Sequence, residues 1–344
     1  MLPSNSPAPP IPAYIFRGHH VAIHALHFFQ NNRFFASGDS DGWIVVWRLT
    51  TRRPAAAWKA HEGGIMGIKD WDGTRLLSHG RDHKLRVWQL RPSDFEGLSV
   101  KLPLDGTTAE DVKQPWLLYT MPINALNFCA FATCTDPDAS VSKESELASL
   151  LIAAPNGLDS GGVDVFRLPS ENRVSKVQSD KNVNTGMVMS LRIFNAQSTG
   201  RLTLVIGYEG GQVMVFERRK QDSTLVWGWD QVLVGQPHKQ PVLSLDVTPD
   251  HTAFITSSAD ATVTKYALSK AEAKQAEPEK TFNTKHAGQQ DLKIRLDGQL
   301  FVTAGWDKNI RVWLCSHGIK KVVTPSPSQK FYLQPHVNAP KQVK

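Results

Sequence analysis

The chain has 344 residues, 41% of them hydrophobic, and a formal net charge of +7. That apolar content is ample for a buried core, but the length is too great for one core of ordinary kind, so two domains or a repetitive architecture is expected. No run of 18 apolar residues argues for a transmembrane helix, and the opening "MLPSNSPAPPIP" does not read as a secretory signal. Three cysteines, Cys129, Cys134 and Cys315, give no disulfide framework and suggest a reducing compartment. No His or Cys pair at metal-ligand spacing accompanies Cys129 and Cys134, so they read as buried or loop thiols. The positive charge is spread along the chain without a basic helix or an aromatic-basic motif. It reads as a solvated surface, and direct nucleic-acid binding is not expected.

In chain order, residues 1–11 are expected to be disordered, and "PAYIFRGH" at 12–19 reads as an outer strand. Six short alternating runs follow: "WIVVW", "KLRVW", "GVDVF", "QVMVF", "TVTKY" and "NIRVW". They end on Trp47, Trp88, Phe166, Phe216, Tyr266 and Trp313, at spacings of 41, 78, 50, 50 and 47 residues. Alternation with β-branched residues marks strands, and a fixed period of this size marks a repeat architecture. The long second interval holds an extra polar loop rather than a missing unit. Segments 91–114, 134–148 and 269–281 read as solvated loops. The repeats are expected to occupy 12–315, leaving 316–344 as a Pro-rich irregular tail whose "KKVV" run is the outer strand of the sixth unit.

Counting back from the markers exposes a second pattern. Six residues earlier stand Asp41, Asp82, Asp260 and Asp307. Four residues before each of these stand Ser37, Ser78, Thr256 and Thr303, and farther back stand His19, His61, His238 and His286. Asp can accept from an imidazole, whose other nitrogen can accept from the Ser or Thr hydroxyl, which in turn can accept from the indole of Trp47, Trp88 or Trp313. Such a chain gives every buried polar group a partner and saves about 1–3 kcal/mol per group otherwise stranded. Tyr266 replaces Trp in the fifth unit and is expected to break its last link. In the third unit Asp159 is displaced by one position, and in the fourth Gly210 stands where Asp belongs. Packing is expected to hold those two units. Four copies of one Ser/His/Asp set argue against a catalytic triad, and no other catalytic, cofactor or metal motif is present.

These offsets resemble the WD40 repeat, which implies an all-β propeller of four-stranded blades. "RGH" at 17–19 matches the repeat's Gly-His start, whereas no marker Trp is followed by Asp. Six blades are recognisable. More specifically, "SGDSDGWIVVW", "RRPAAAWKAH" and "SHGRDHKLRVWQL" resemble the fungal ASTRA-associated protein 1 family, whose animal relatives are named guanine-nucleotide-binding β-subunit-like proteins. The resemblance implies a seven-bladed, non-catalytic nuclear scaffold in the ASTRA assembly, also present in cytoplasm, linked to chromatin remodelling and to maturation of PI3-kinase-like kinases. It implies Tel/Tti-type co-chaperones, RuvB-like AAA+ ATPases and PI3-kinase-like kinases as partners, with no small-molecule substrate, cofactor or membrane. Two other readings are a cullin-type ubiquitin-ligase substrate receptor and an RNA-processing propeller. The first is weakened because none of Trp71-Asp72, Trp229-Asp230 and Trp306-Asp307 has Arg two places on.

The residues just before the turn Asp positions, including Arg81 and Trp306, are expected on one propeller face near His24, Met66 and Asp291. Aromatic and Arg side chains dominate interface energetics, which singles out Trp306 and Arg81. The tail after Trp313 has no Gly-Asp turn and no further alternating run, so the implied seventh blade is expected to be missing or fragmentary. A splice form or a misjudged exon would explain that.

Overall fold

Each alternating run folds as a strand, and every strand pairs antiparallel with its sequence neighbour. A computed structural model describes residues 13–138, 148–179, 183–197, 199–219, 227–268 and 276–315, with the backbone of 318–323. The first sheet contains β1 (Ile23–Phe29), β2 (Phe34–Asp39), β3 (Trp43–Arg48) and β4 (Arg53–Lys59). The second contains β5 (Ile65–Trp71), β6 (Arg75–Gly80), β7 (Lys84–Gln89) and β8 (Leu117–Pro122). The third contains β9 (Ala132–Thr135), β10 (Leu150–Pro155), β11 (Val163–Leu168) and β12 (Asn172–Val177). The fourth contains β13 (Val188–Asn195), β14 (Leu202–Tyr208), β15 (Val213–Arg218) and β16 (Trp229–Gly235). The fifth contains β17 (Val242–Val247), β18 (Ala253–Ser258), β19 (Thr262–Ala267) and β20 (Lys280–Asn283). The sixth contains β21 (Gln289–Ile294), β22 (Leu300–Gly305), β23 (Ile310–Leu314) and β24 (Gly318–Val323). The molecule is a six-bladed β-propeller, as the repeat count predicts.

The "KKVV" run lies in β24, the outer strand of the sixth blade, so the last sheet continues past residue 315. "PAYIFRGH" is not a strand. Phe16 instead packs edge-on against Phe35 and Trp47 of the first blade. Residues 91–114 are likewise not a free solvated loop. They form three short 3₁₀ turns, with Phe95 buried against Phe34 and the Ala57 N–H donating to the Ser99 carbonyl at 2.8 Å. Apolar residues in this segment (Phe95, Leu98, Leu102) let it cover the first blade. The other two excursions fall partly outside the described residues, as do residues 1–11.

Blades pack face to face through their alternating apolar positions. Ile44 of β3 packs toward the second blade, where Ile68 of β5 meets it. Leu191, Leu245 and Leu292 hold the position of Ile68 in later blades, and all are at most 3% exposed. The seam between the sixth and first blades differs. Leu26, at the same position of β1, is 62% exposed. Ile310, the counterpart of the fully buried Ile44, is 43% exposed. Among the described residues the flanks of this seam are therefore apolar and in contact with solvent.

Candidate functional site

The polar chains form first in the second blade. His61 Nδ1 donates to Asp82 Oδ1 at 2.8 Å, and Ser78 Oγ lies 2.7 Å from His61 Nε2. Trp88 Nε1 donates to Ser78 Oγ at 2.9 Å. Gly80 makes room for the ring, since a Cβ there would lie 2.4 Å from the imidazole. Burial lowers the His61 pKa despite Asp82 and keeps the ring neutral. Burial raises that of Asp82, but His61 and Arg86 outweigh it and hold the carboxyl below its usual range. Ser78, buried and already bonded on both sides, offers no nucleophile.

The fifth blade repeats the scheme with different ends. His238 Nδ1 reaches Asp260 at 3.1 Å, and its Nε2 is 2.9 Å from Thr256 Oγ1. Among the described residues the Tyr266 hydroxyl has no partner, so the link to Thr256 is broken there. Thr264 supplies the missing link instead, 2.6 Å from Thr256.

Two assignments need correction. In the first blade His19 bonds Ser37 at 2.7 Å and Trp47 donates to Ser37 at 2.9 Å, but the carboxylate is Asp39, not Asp41. Asp39 ends β2 where Gly80 ends β6, so its side chain rises directly into the site. There it takes His19 at 2.7 Å and the backbone N–H groups of Asp41 and Trp43. Asp41 is left near the surface, 3.5 Å from His20. In the sixth blade Trp313 donates to Thr303 at 3.0 Å, but His286 is exposed, and among the described residues its ring bonds only the adjacent Ala287 carbonyl. Arg311 has taken its place. Its guanidinium grips Asp307 at 3.0 and 2.5 Å and pulls that carboxyl down to about 2. Over Gly305, where the second blade holds an imidazole, the space is filled by Asp307, Arg311 and the buried Gln289 amide.

The third and fourth blades lack this network, as expected. Asn156 accepts from the Leu158 and Asp159 N–H groups, and Asp159 accepts from Ser179. Their first strands rest on apolar packing.

The turns after each second strand share one face. The N–H groups of Ser40, Arg81, Ala259 and Trp306 donate to the carbonyls of Ala22, Gly64, Pro241 and Gly288, just before or opening the first strand. His24 and Met66 follow at the starts of β1 and β5, one exposed and one half-buried. Asp291 is exposed and accepts from the Ser244 hydroxyl at 2.8 Å. The structure does not gather these residues at one point, because Arg81 sits on the second blade and Trp306 on the sixth. Trp306 lies over Gly288, whose Cβ would fall 2.1 Å from the ring, and donates to Gln290. Packing therefore accounts for it. Arg81 is exposed and stands 5.1 Å over the Phe128 ring. Around it Leu126, Phe128 and Leu158 are all exposed, and Asn124 ties their two loops by donating to the Asn156 carbonyl at 3.0 Å. Sequence reading missed this apolar group because "INALNFCAF" looks like a core strand. Here it is a loop whose Ile123, Ala125 and Cys129 turn inward.

The ASTRA-associated protein 1 family model matches residues 12–329. The chain belongs to the ASTRA-associated protein 1 family. The relative from Penicillium rubens is 46% identical over 89% of this chain and 76% of its own length. That from Aspergillus niger is 43% identical over the same shares, and that from Pyricularia oryzae 36% over 92% and 84%. All three carry the name ASTRA-associated protein 1. The family match includes both blades that lost the polar network, so strand periodicity defines this ASTRA-associated protein 1 fold more than the tetrads do.

Proposed function

We propose that this protein is a non-catalytic WD40 scaffold subunit of the ASTRA assembly, acting in the nucleus and also in the cytoplasm. The family match across nearly all of the chain carries this reading. The buried, fully bonded Ser78 and Ser37 hydroxyls favour a structural role for the polar sets over a catalytic one. In this reading the scaffold serves chromatin remodelling and the maturation of PI3-kinase-like kinases. Its partners are Tel/Tti-type co-chaperones, RuvB-like AAA+ ATPases and the kinases themselves. The face carrying Arg81, Phe128, Leu126 and Leu158 is the docking surface, because an exposed Arg–aromatic pair beside exposed apolar side chains would be desolvated by a partner and suits an interface centre.

Affinity purification of the tagged chain from its own host, read by mass spectrometry, tests this. Co-chaperones of the Tel/Tti type and RuvB-like ATPases are expected, and an Arg81→Ala, Phe128→Ala variant that folds should lose part of that set. Recovery of cullin adaptors or of RNA-processing factors in their place overturns the reading.

A further inference from the structure

The first strands of five blades share a bulge at their start, at Ile23, Ile65, Val188, Val242 and Gln289. Four residues beyond stand His27, Lys69, Arg192, Asp246 and Lys293. Pairing with the second strands puts Ala132 at the same level in the third blade. In a propeller the first strands line the axis, so these six side chains form one ring around it.

The ring is uneven. Asp246 accepts from Arg192 at 2.9 Å, from the Ile294 N–H at 3.0 Å, and lies 3.7 Å from Lys293. Asp70, from the neighbouring position of β5, is paired with His27 at 2.7 Å, and Asp291 with Ser244 at 2.8 Å. The carboxylates are thus all engaged. Lys69 makes no hydrogen bond or ion pair among the described residues, although Arg192 and Lys293, and against them Asp246 and Asp291, act on it as neighbouring charges. Between Lys69 and Arg192 the third blade offers only the methyl of Ala132. Arg192 uses Nε and Nη1 on Asp246 and on the Leu191 carbonyl, leaving Nη2 without a hydrogen bond among the described residues.

We propose that the axial channel binds a phosphate-class oxyanion, held between Lys69 and Arg192 with Lys293 completing the positive side. Its several oxygens match the free ammonium and the remaining guanidinium N–H groups. At the next level the neighbouring blades meet closely, since a Cβ on Gly67 would lie 2.9 Å from Ala130 and Ser244 touches Asp291. The cationic groups thus converge at one level, which suits a compact anion. Burial, with Arg192 and Lys293 adding to it, pushes the Lys69 ammonium down to about 7. An anion bound beside it favours the charged ammonium. The site is independent of the ASTRA reading.

The probe is sulfate, whose charge is constant near neutral pH, titrated calorimetrically into the full chain against chloride at equal ionic strength. His27 also faces the ring, so the pH arm requires a Lys69 variant. Sulfate is expected to bind at pH 6.0 and to bind at least about tenfold more weakly at pH 8.5, as Lys69 loses its proton. In Lys69→Gln the affinity at pH 6.0 should fall by a similar factor and the pH dependence should shrink to what Lys293, whose pKa burial also lowers, contributes. Lys293→Gln, on a more exposed side chain, provides a second loss if Lys69→Gln fails to fold. The proposal is overturned by sulfate binding no better than chloride, by affinity unchanged in the variants, or by a pH dependence undiminished without Lys69.

Discussion

Arg311 and Asp307 form a two-pronged ion pair in the sixth blade, at 3.0 and 2.5 Å, with the guanidinium buried. It occupies the place that His61 holds beside Asp82 in the second blade. Arg311 stands two residues before Trp313, as Arg86 stands two before Trp88, and Arg86 also reaches its Asp, at 3.1 Å. Two solutions to one carboxylate thus coexist in the repeat.

Arg311→Ala should therefore destabilise the fold by about 3 kcal/mol, since it strands a carboxylate in a partly buried site. His286→Ala should stay within about 0.5 kcal/mol, as for a surface change. Urea denaturation midpoints of both variants check the contrast. An equal loss for both would mean that His286 reaches Asp307 in solution.

The first blade gives a similar test between neighbours. Asp39→Ala removes the partner of His19 and of two backbone N–H groups, and a loss of about 2 kcal/mol or more is expected. Asp41→Ala should cost less than about 0.5 kcal/mol. Asp82→Ala in the second blade should behave like Asp39→Ala, at about 1–3 kcal/mol. Thermal unfolding of the three variants in parallel ranks them.

Acid should weaken the protein well before its carboxylates protonate. His79 is fully buried with no good hydrogen bond to either ring nitrogen among the described residues, and burial, with His61 and His83 adding to it, outweighs Asp82 and the Asn124 backbone and lowers its pKa to about 3. The unfolded chain, with an ordinary histidine, binds a proton there that the folded one refuses. Stability is then lost as pH falls below about 6.5, by on the order of 1–2 kcal/mol at pH 5. Denaturant midpoints between pH 7 and 5 should show this slope, and His79→Leu should flatten it. A slope untouched by the substitution assigns the effect to other groups.

At the seam, Leu26→Ser with Phe28→Ser should leave the melting temperature nearly unchanged, because both side chains already face water. Ile68→Ser, on the equivalent buried position, should cost several kcal/mol. The double variant should also associate less in size-exclusion chromatography at high concentration, as removal of an exposed apolar face predicts. Unchanged self-association would place any sticky surface elsewhere.

Strand periodicity was legible because each blade ends on an aromatic that must fill the same hole, so Trp47, Trp88, Phe216 and Trp313 recur whatever surrounds them. The polar sets were legible only where one geometry is allowed. Asp39 and Asp41 lie in the same turn, and choosing between them requires knowing which one sits at the strand end. His286 keeps the expected offset, yet Arg311 competes for its partner from another strand, a contest that spacing does not reveal. The axial ring was invisible for a different reason. His27, Lys69, Ala132, Arg192, Asp246 and Lys293 share a level but no residue type, and only the hydrogen-bond register aligns them.

Every sheet is built from four consecutive strands, with none borrowed from another blade among the described residues. Among the described residues no backbone ladder therefore joins the sixth blade to the first, so along the backbone the array behaves as a stack with two ends, although its first strands surround one axis. In such a stack each unit is steadied by its neighbours alone, and the end units have one neighbour fewer. Opening should then begin at the first and sixth blades and work inward, so that amide hydrogens of β14 and β10 outlast those of β2 and β22 in native-state exchange. A molecule that frays from one seam can also be pried apart there and slipped around a strand or a loop without unfolding its middle.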